Sequence, residues 1–111
     1  MFPTARLEFY QPAAFDLDPI ADDSVDFVFS FGTFVHIEPD GIAQYLAEIR
    51  RVLKPAGVAV VHYAAKEKPA GRLNRTFSDM TAEKLTAMAP MELIAHDTTL
   101  IGHSNIVVFR K

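Results

Sequence analysis

The residues of this chain that could do chemistry are four histidines, a run of aspartates, a basic cluster and one strand-closing turn. The histidines stand at 36, 62, 96 and 103. His62, His96 and His103 fall on different elements, with none of the short spacings that gather metal ligands. Asp16, Asp18, Asp22, Asp23 and Asp26 lie close together. A calcium loop would need oxygen ligands at alternate positions, a central glycine and a closing glutamate, and that pattern fails here. These aspartates read instead as turn formers that bond their own backbone. Lys66, Lys68, Arg72 and Arg75 could grip an anion, but basic side chains on a solvated loop are ordinary and that reading is the stronger one. The turn Ser30-Phe31-Gly32-Thr33 is better placed, because ligands of open α/β sheets bind at the carboxyl ends of strands. No cysteine is present, which removes disulfides, thiolate zinc sites and cysteine nucleophiles. Neither a G-x-S-x-G elbow nor a G-x-G-x-x-G turn occurs, which argues against a serine hydrolase and a dinucleotide oxidoreductase.

The elements that must position these residues alternate along the chain. Residues 7–10 read as a short strand stopped by Gln11-Pro12, and residues 11–24, with Pro12, Pro19 and four aspartates, as a loop. Residues 25–31 are aromatic and β-branched on both alternating faces, which suits the interior of a parallel sheet. Pro39 opens a helix, and Ile42, Tyr45, Leu46, Ile49, Val52 and Leu53 form one apolar stripe along it through residue 54. Pro55 ends that helix and Gly57 is expected to turn the chain. Residues 58–64 read as a second buried strand and residues 65–79 as a polar loop. A shorter helix follows from 81 to about 89, capped by Thr81 or Asp79. Residues 91–99 and 105–109 then form an antiparallel hairpin around Gly102. The order β-loop-β-α-β-α-β-β predicts an α/β sheet.

Composition narrows the setting. The chain has 111 residues, enough for a single domain over residues 1–111. Half of the residues are hydrophobic and 23% are charged, so the chain should fold. A net charge of −3 argues against a nucleic-acid partner, whose affinity rests on phosphate neutralisation. No apolar run approaches the ~18 residues of a membrane span, and the first six residues show no secretory leader. A soluble, cytoplasmic protein is expected.

One long segment resembles a known family. Asp23-Ser24-Val25-Asp26-Phe27-Val28-Phe29-Ser30-Phe31, then Phe34-Val35-His36-Ile37, then Tyr45-Leu46-Ala47-Glu48-Ile49-Arg50-Arg51-Val52-Leu53-Lys54-Pro55-Ala56-Gly57, resembles the second half of class I S-adenosylmethionine-dependent methyltransferases. The resemblance covers about residues 6–110. It implies a partial Rossmann-like methyltransferase sheet, mostly parallel, with an antiparallel C-terminal hairpin and two crossover helices. By the same resemblance, Ser30, Phe31 and Gly32 line the methionine and sulfonium of the cofactor, and Asp16 lies near the adenine amino group. His36 matches a position beside the substrate entrance and is the candidate general base, although a histidine between Val35 and Ile37 is more often packed structure. The loop carrying Lys66, Lys68, Arg72 and Arg75 borders the substrate in the family.

The resemblance stops short of the family's main cofactor-binding half. The five glycines, at 32, 41, 57, 71 and 102, make no G-x-G turn, and the acid that holds the ribose hydroxyls has no counterpart. Binding of S-adenosylmethionine by this chain alone is therefore not expected. Right-handed crossovers would also put both helices on one face of the sheet. The other face would stay bare and the strand at 25–31 would be an open edge, so a homo-oligomer or a covering partner chain is expected. Two readings follow: part of a methyltransferase acting on an unidentified acceptor, inactive as the isolated chain, or a non-catalytic interaction module or partner subunit derived from that fold.

Overall fold

Apolar alternation, prolines and one hydroxyl cap set where each element begins and ends. The computed structural model describes residues 7–12 and 14–111; residues 1–6, on which the expected lack of a leader rests, lie outside them, as does residue 13. Strand β1 (Val25–Ser30) leads through a 3-10 turn (Phe34–His36) to helix α1 (Pro39–Val52) and strand β2 (Leu53–Ala64). Short helix α2 (Pro69–Leu73), helix α3 (Ala82–Met88) and strands β3 (Glu92–Asp97) and β4 (Ser104–Arg110) follow. The strand order is β1-β2-β4-β3. β1 runs parallel to β2, with Phe27 opposite Val58 and Ser30 opposite Val61. β4 pairs antiparallel with both β2 and β3. The fold is α/β and partly Rossmann-like, with the expected C-terminal hairpin and two crossover helices, α1 and α3.

β1, β2 and β3 point the same way and β4 alone runs against them, so the mixed sheet is mostly parallel in strand direction, as expected. Three other expectations are corrected. Residues 7–10 form no strand, and Phe9 is 95% exposed. A four-residue segment takes strand conformation only from a neighbour to pair with, and β1 does not supply one. Helix α1 stops at Val52 rather than Lys54, and Ala56, not Gly57, takes the left-handed conformation (φ 66°). Gly57 serves another need: a Cβ there would stand 2.8 Å from the carbonyl oxygen of Lys54. The expected loop at 65–79 also carries α2, opened by Pro69 at its first turn.

One face of the sheet holds the core. The predicted stripe of α1 buries Ile42, Leu46, Ile49 and Val52. Ile42, Leu46 and Ile49 cluster with Ala59, Val61 and Tyr63 of β2, Leu85 of α3 and Val107 and Phe109 of β4. The Thr81 hydroxyl caps α3 by accepting from the Lys84 amide at 3.1 Å. Asp79, the alternative cap, instead pairs with the Lys84 ammonium at 2.9 Å. Residues 15–22 are strapped onto α1: the Arg51 guanidinium donates to the carbonyls of Leu17 and Ile20 and to the carboxylates of Glu48 and Asp22.

The opposite face is left open. Phe27, Phe29 and Phe31 are 54%, 64% and 55% exposed, while Val28 packs toward the core. The pairing register puts Val58, Val60, Ile106 and Val108 on the same open face. No helix of the described residues is long and apolar enough to cross a membrane.

Candidate functional site

The carboxyl end of β1 delivers Ser30, Phe31 and Gly32 to the top of the sheet in one turn. Gly32 has φ +78°, a conformation that favours glycine. A Cβ there would meet nothing within 4 Å, so the backbone is bare to whatever approaches. The Gly32 amide donates to Nδ1 of His62 at 3.0 Å, and the His62 ring stacks on Phe31 with centroids 4.1 Å apart. Phe31 is thus an exposed platform rather than a core residue. Asp16 is held elsewhere: its Oδ1 accepts from the Tyr10 hydroxyl and the Asp18 amide, and neither bond reaches the turn.

Beyond the turn, the 3-10 segment brings His36 against residues 74–80. Its Nδ1 lies 3.0 Å from the Thr76 carbonyl, so that nitrogen carries the proton in the neutral ring. Nε2 is then left with its lone pair, the arrangement a proton acceptor needs. Phe77 lies edge-on to His36 at 5.7 Å and to His103 at 5.1 Å. The Ser78 amide bonds the Val35 carbonyl at 2.7 Å and fixes the two segments together.

Next to Phe77 opens a cavity of about 630 Å³ lined by Glu38, Lys66, Arg72, Phe77 and Asp79. Its size suits a small molecule, and its wall carries both signs of charge. Lys84 holds the Asp79 carboxyl below the usual carboxylate range, so it stays anionic. The basic cluster read from the sequence is divided. Lys66 and Arg72 line the cavity, whereas the Lys68 ammonium binds the carbonyls of Ile101 and Ser104 and clamps the β3–β4 connection. The aspartates are likewise structural: Asp22 pairs with Arg51, Asp23 with Lys111 and Asp26 with Lys54.

Glu38, Phe77 and Asp79 escape a sequence reading because loop residues carry no periodic signal. His62 does carry a signal, as a single polar residue inside the apolar strand at 58–64. Nε2 of His96 shares a hydrogen bond with the buried Tyr63 hydroxyl, whose pKa burial pushes up to about 12. The three histidines therefore serve three separate contacts.

A family model described as a methyltransferase domain matches residues 2–61, more than half of the chain. The chain belongs to the class I S-adenosylmethionine-dependent methyltransferase family. Among curated proteins none matches it. Solved structures agree on the fold. A Pyrococcus horikoshii protein superposes with a TM-score of 0.77 at 21% identity, over 96% of this chain and 60% of its own. A Thermotoga maritima S-adenosylmethionine-dependent methyltransferase, described as a possible histamine N-methyltransferase, gives 0.65 at 18% identity, over 90% and 62%. The Burkholderia thailandensis 1,6-didemethyltoxoflavin-N1-methyltransferase, solved with its substrate and S-adenosylhomocysteine, gives 0.59 at 22% identity, over 82% and 45%. The chain spans less than two thirds of the length of each.

Proposed function

We propose that the chain is the substrate-side half of an S-adenosylmethionine-dependent methyltransferase, completed by a protein segment that covers its open face. The single observation carrying this is the Ser30–Phe31–Gly32 turn: a left-handed glycine with open space over its backbone, at the carboxyl end of a sheet strand. Ser30, Phe31 and Gly32 would hold the methionine end of the cofactor, which supplies an electrophilic methyl group on a sulfonium. That end fits the residues present, because nothing of the protein fills the space over Gly32. The cavity beside His36 is the acceptor side. Lys66 and Arg72 line it together with Glu38 and Asp79, which favours an acceptor carrying groups of both polarities over a simple anion. His36, with Nδ1 tied to Thr76, keeps Nε2 free to take the proton that an amine or hydroxyl acceptor loses on methylation.

Calorimetry tests the division of labour. The isolated chain should show no saturable binding of S-adenosylmethionine, and tight binding would mean that this chain holds the whole cofactor site. Supplying the glycine-turn half of a relative as a second polypeptide should create an S-adenosylhomocysteine site. In that complex Gly32→Val should weaken binding at least tenfold, about 1.4 kcal/mol. No binding with any added half would overturn the reading.

A further inference from the structure

We propose that His62 is the positioning residue of the cofactor-side turn, holding it closed only while its imidazole is neutral. The inference rests on the methyltransferase reading for its consequence, but its geometry stands in the chain alone. His62 lies in β2, 3% exposed, one strand away from the turn it serves. Three contacts fix its ring. Nδ1 accepts from the Gly32 amide at 3.0 Å. Nε2 lies 2.6 Å from the Ser104 hydroxyl on β4. The ring face carries Phe31, with the planes 14° from parallel.

These contacts specify one tautomer. Because the Gly32 N–H can only donate, Nδ1 must present its lone pair, and the proton sits on Nε2 toward Ser104. Protonation would add a hydrogen to Nδ1 and set donor against donor at Gly32, opening the bond that orients the turn. The groups facing the ring discourage that. The turn before β4 contributes His103, whose positive form opposes a second charge. Lys68 brings its ammonium to the Ser104 carbonyl. From the β1 side come Phe31 and the Gly32 amide. Burial first, and His103 second, hold His62 below the ordinary value of 6.5.

The sign follows. Above the ordinary histidine range His62 is neutral and the turn is held; as pH falls through the lowered folded-state value, the bond to Gly32 is lost. A Phe31 platform on a released turn no longer faces the same way, so methyl-donor binding in a completed enzyme would weaken on acidification through this one residue.

Nitrogen-15 NMR of the ligand-free chain tests the switch apart from methyl transfer. Long-range imidazole correlations should show His62 with its proton on Nε2. The Gly32 amide should titrate below the ordinary histidine value of 6.5, with the same midpoint as His62. His62→Phe keeps a ring under Phe31 but removes the acceptor; it should abolish that titration and speed Gly32 amide exchange at least tenfold. His103→Asn should leave the Gly32 titration in place with its midpoint raised. Should His62→Phe fail to fold, Ser104→Ala reads the same link by moving the proton population toward Nδ1. A proton on Nδ1 in the native chain, or a Gly32 amide indifferent to pH, would overturn the proposal. Either result would leave the methyltransferase reading untouched, just as failure to bind cofactor would leave the His62 tautomer intact.

Discussion

The two faces of this sheet are made from the same strands and end in opposite states. On one face Leu46, Ile49 and Leu85 close over Ala59, Val61 and Tyr63. On the other, Phe27 and Phe29 stand in solvent one residue away from Val28, which is packed. The alternation of β1 supplies apolar side chains to both, yet α1 and α3 both fall on one side. A strand apolar on both faces therefore encodes two covers, and these residues contain one of them.

The largest expected effect separates the faces by stability. Leu46 is fully buried, so Leu46→Ala should cost about 2–5 kcal/mol in chemical denaturation. Phe29→Ser, on the open face at high dilution, should cost less than about 1 kcal/mol, because little of that ring leaves water on folding. Equal losses would mean that the open face is covered within the chain itself.

Association should follow the open face. The isolated chain is expected to self-associate in analytical ultracentrifugation, joining bare faces or pairing β1 edges about a two-fold axis. Phe27→Lys with Phe29→Lys places two charges in that contact and should weaken association at least tenfold, about 1.4 kcal/mol. A clean 12.3 kDa monomer of the parent chain would remove the distinction between the faces.

How much of this was legible in the residues depends on the range of the interaction. The stripe of α1, the β1 alternation and the hairpin are local periodicities, and they read directly. That α1 and α3 share a face followed from crossover handedness. Residues 7–10 misled because strand formation is decided by a neighbour, not by Leu7, Phe9 and Tyr10 themselves. Ser30, Phe31 and Gly32 were found through the family resemblance. The Gly32–His62 bond spans thirty residues and has no sequence signature. The cavity is lined by Glu38, Lys66 and Phe77 from separate loops, and only their tertiary placement shows that they meet.

A smaller effect probes how the covered face is held. Thr81 caps α3, which places Leu85 in the core. Thr81→Ala should cost about 1 kcal/mol, while Thr81→Asn, which keeps an acceptor, should cost a fraction of that. If both cost the same, α3 is fixed by Leu85 alone and the cap is incidental.

The smallest expected effect reports on the open face without disturbing its apolar residues. Arg110 and Glu92 pair across β4 and β3 with bonds of 2.9 and 3.0 Å, and Arg110 lies opposite Val58 in the register of that face. Both side chains are about half exposed, so as a free surface pair they are worth at most about 1 kcal/mol, and salt should screen that. Glu92→Gln should therefore change monomer stability by a few tenths of a kcal/mol, with the difference vanishing at high ionic strength. Covering the face would change this. Once a second copy excludes water from the pair, the Glu92→Gln chain leaves the Arg110 charge without its partner, and a desolvated charge costs far more than an exposed one. The substitution should then weaken association more than it weakens folding. If the two are weakened equally, the contact between copies lies away from β3 and β4, and edge pairing at β1 alone accounts for the self-association.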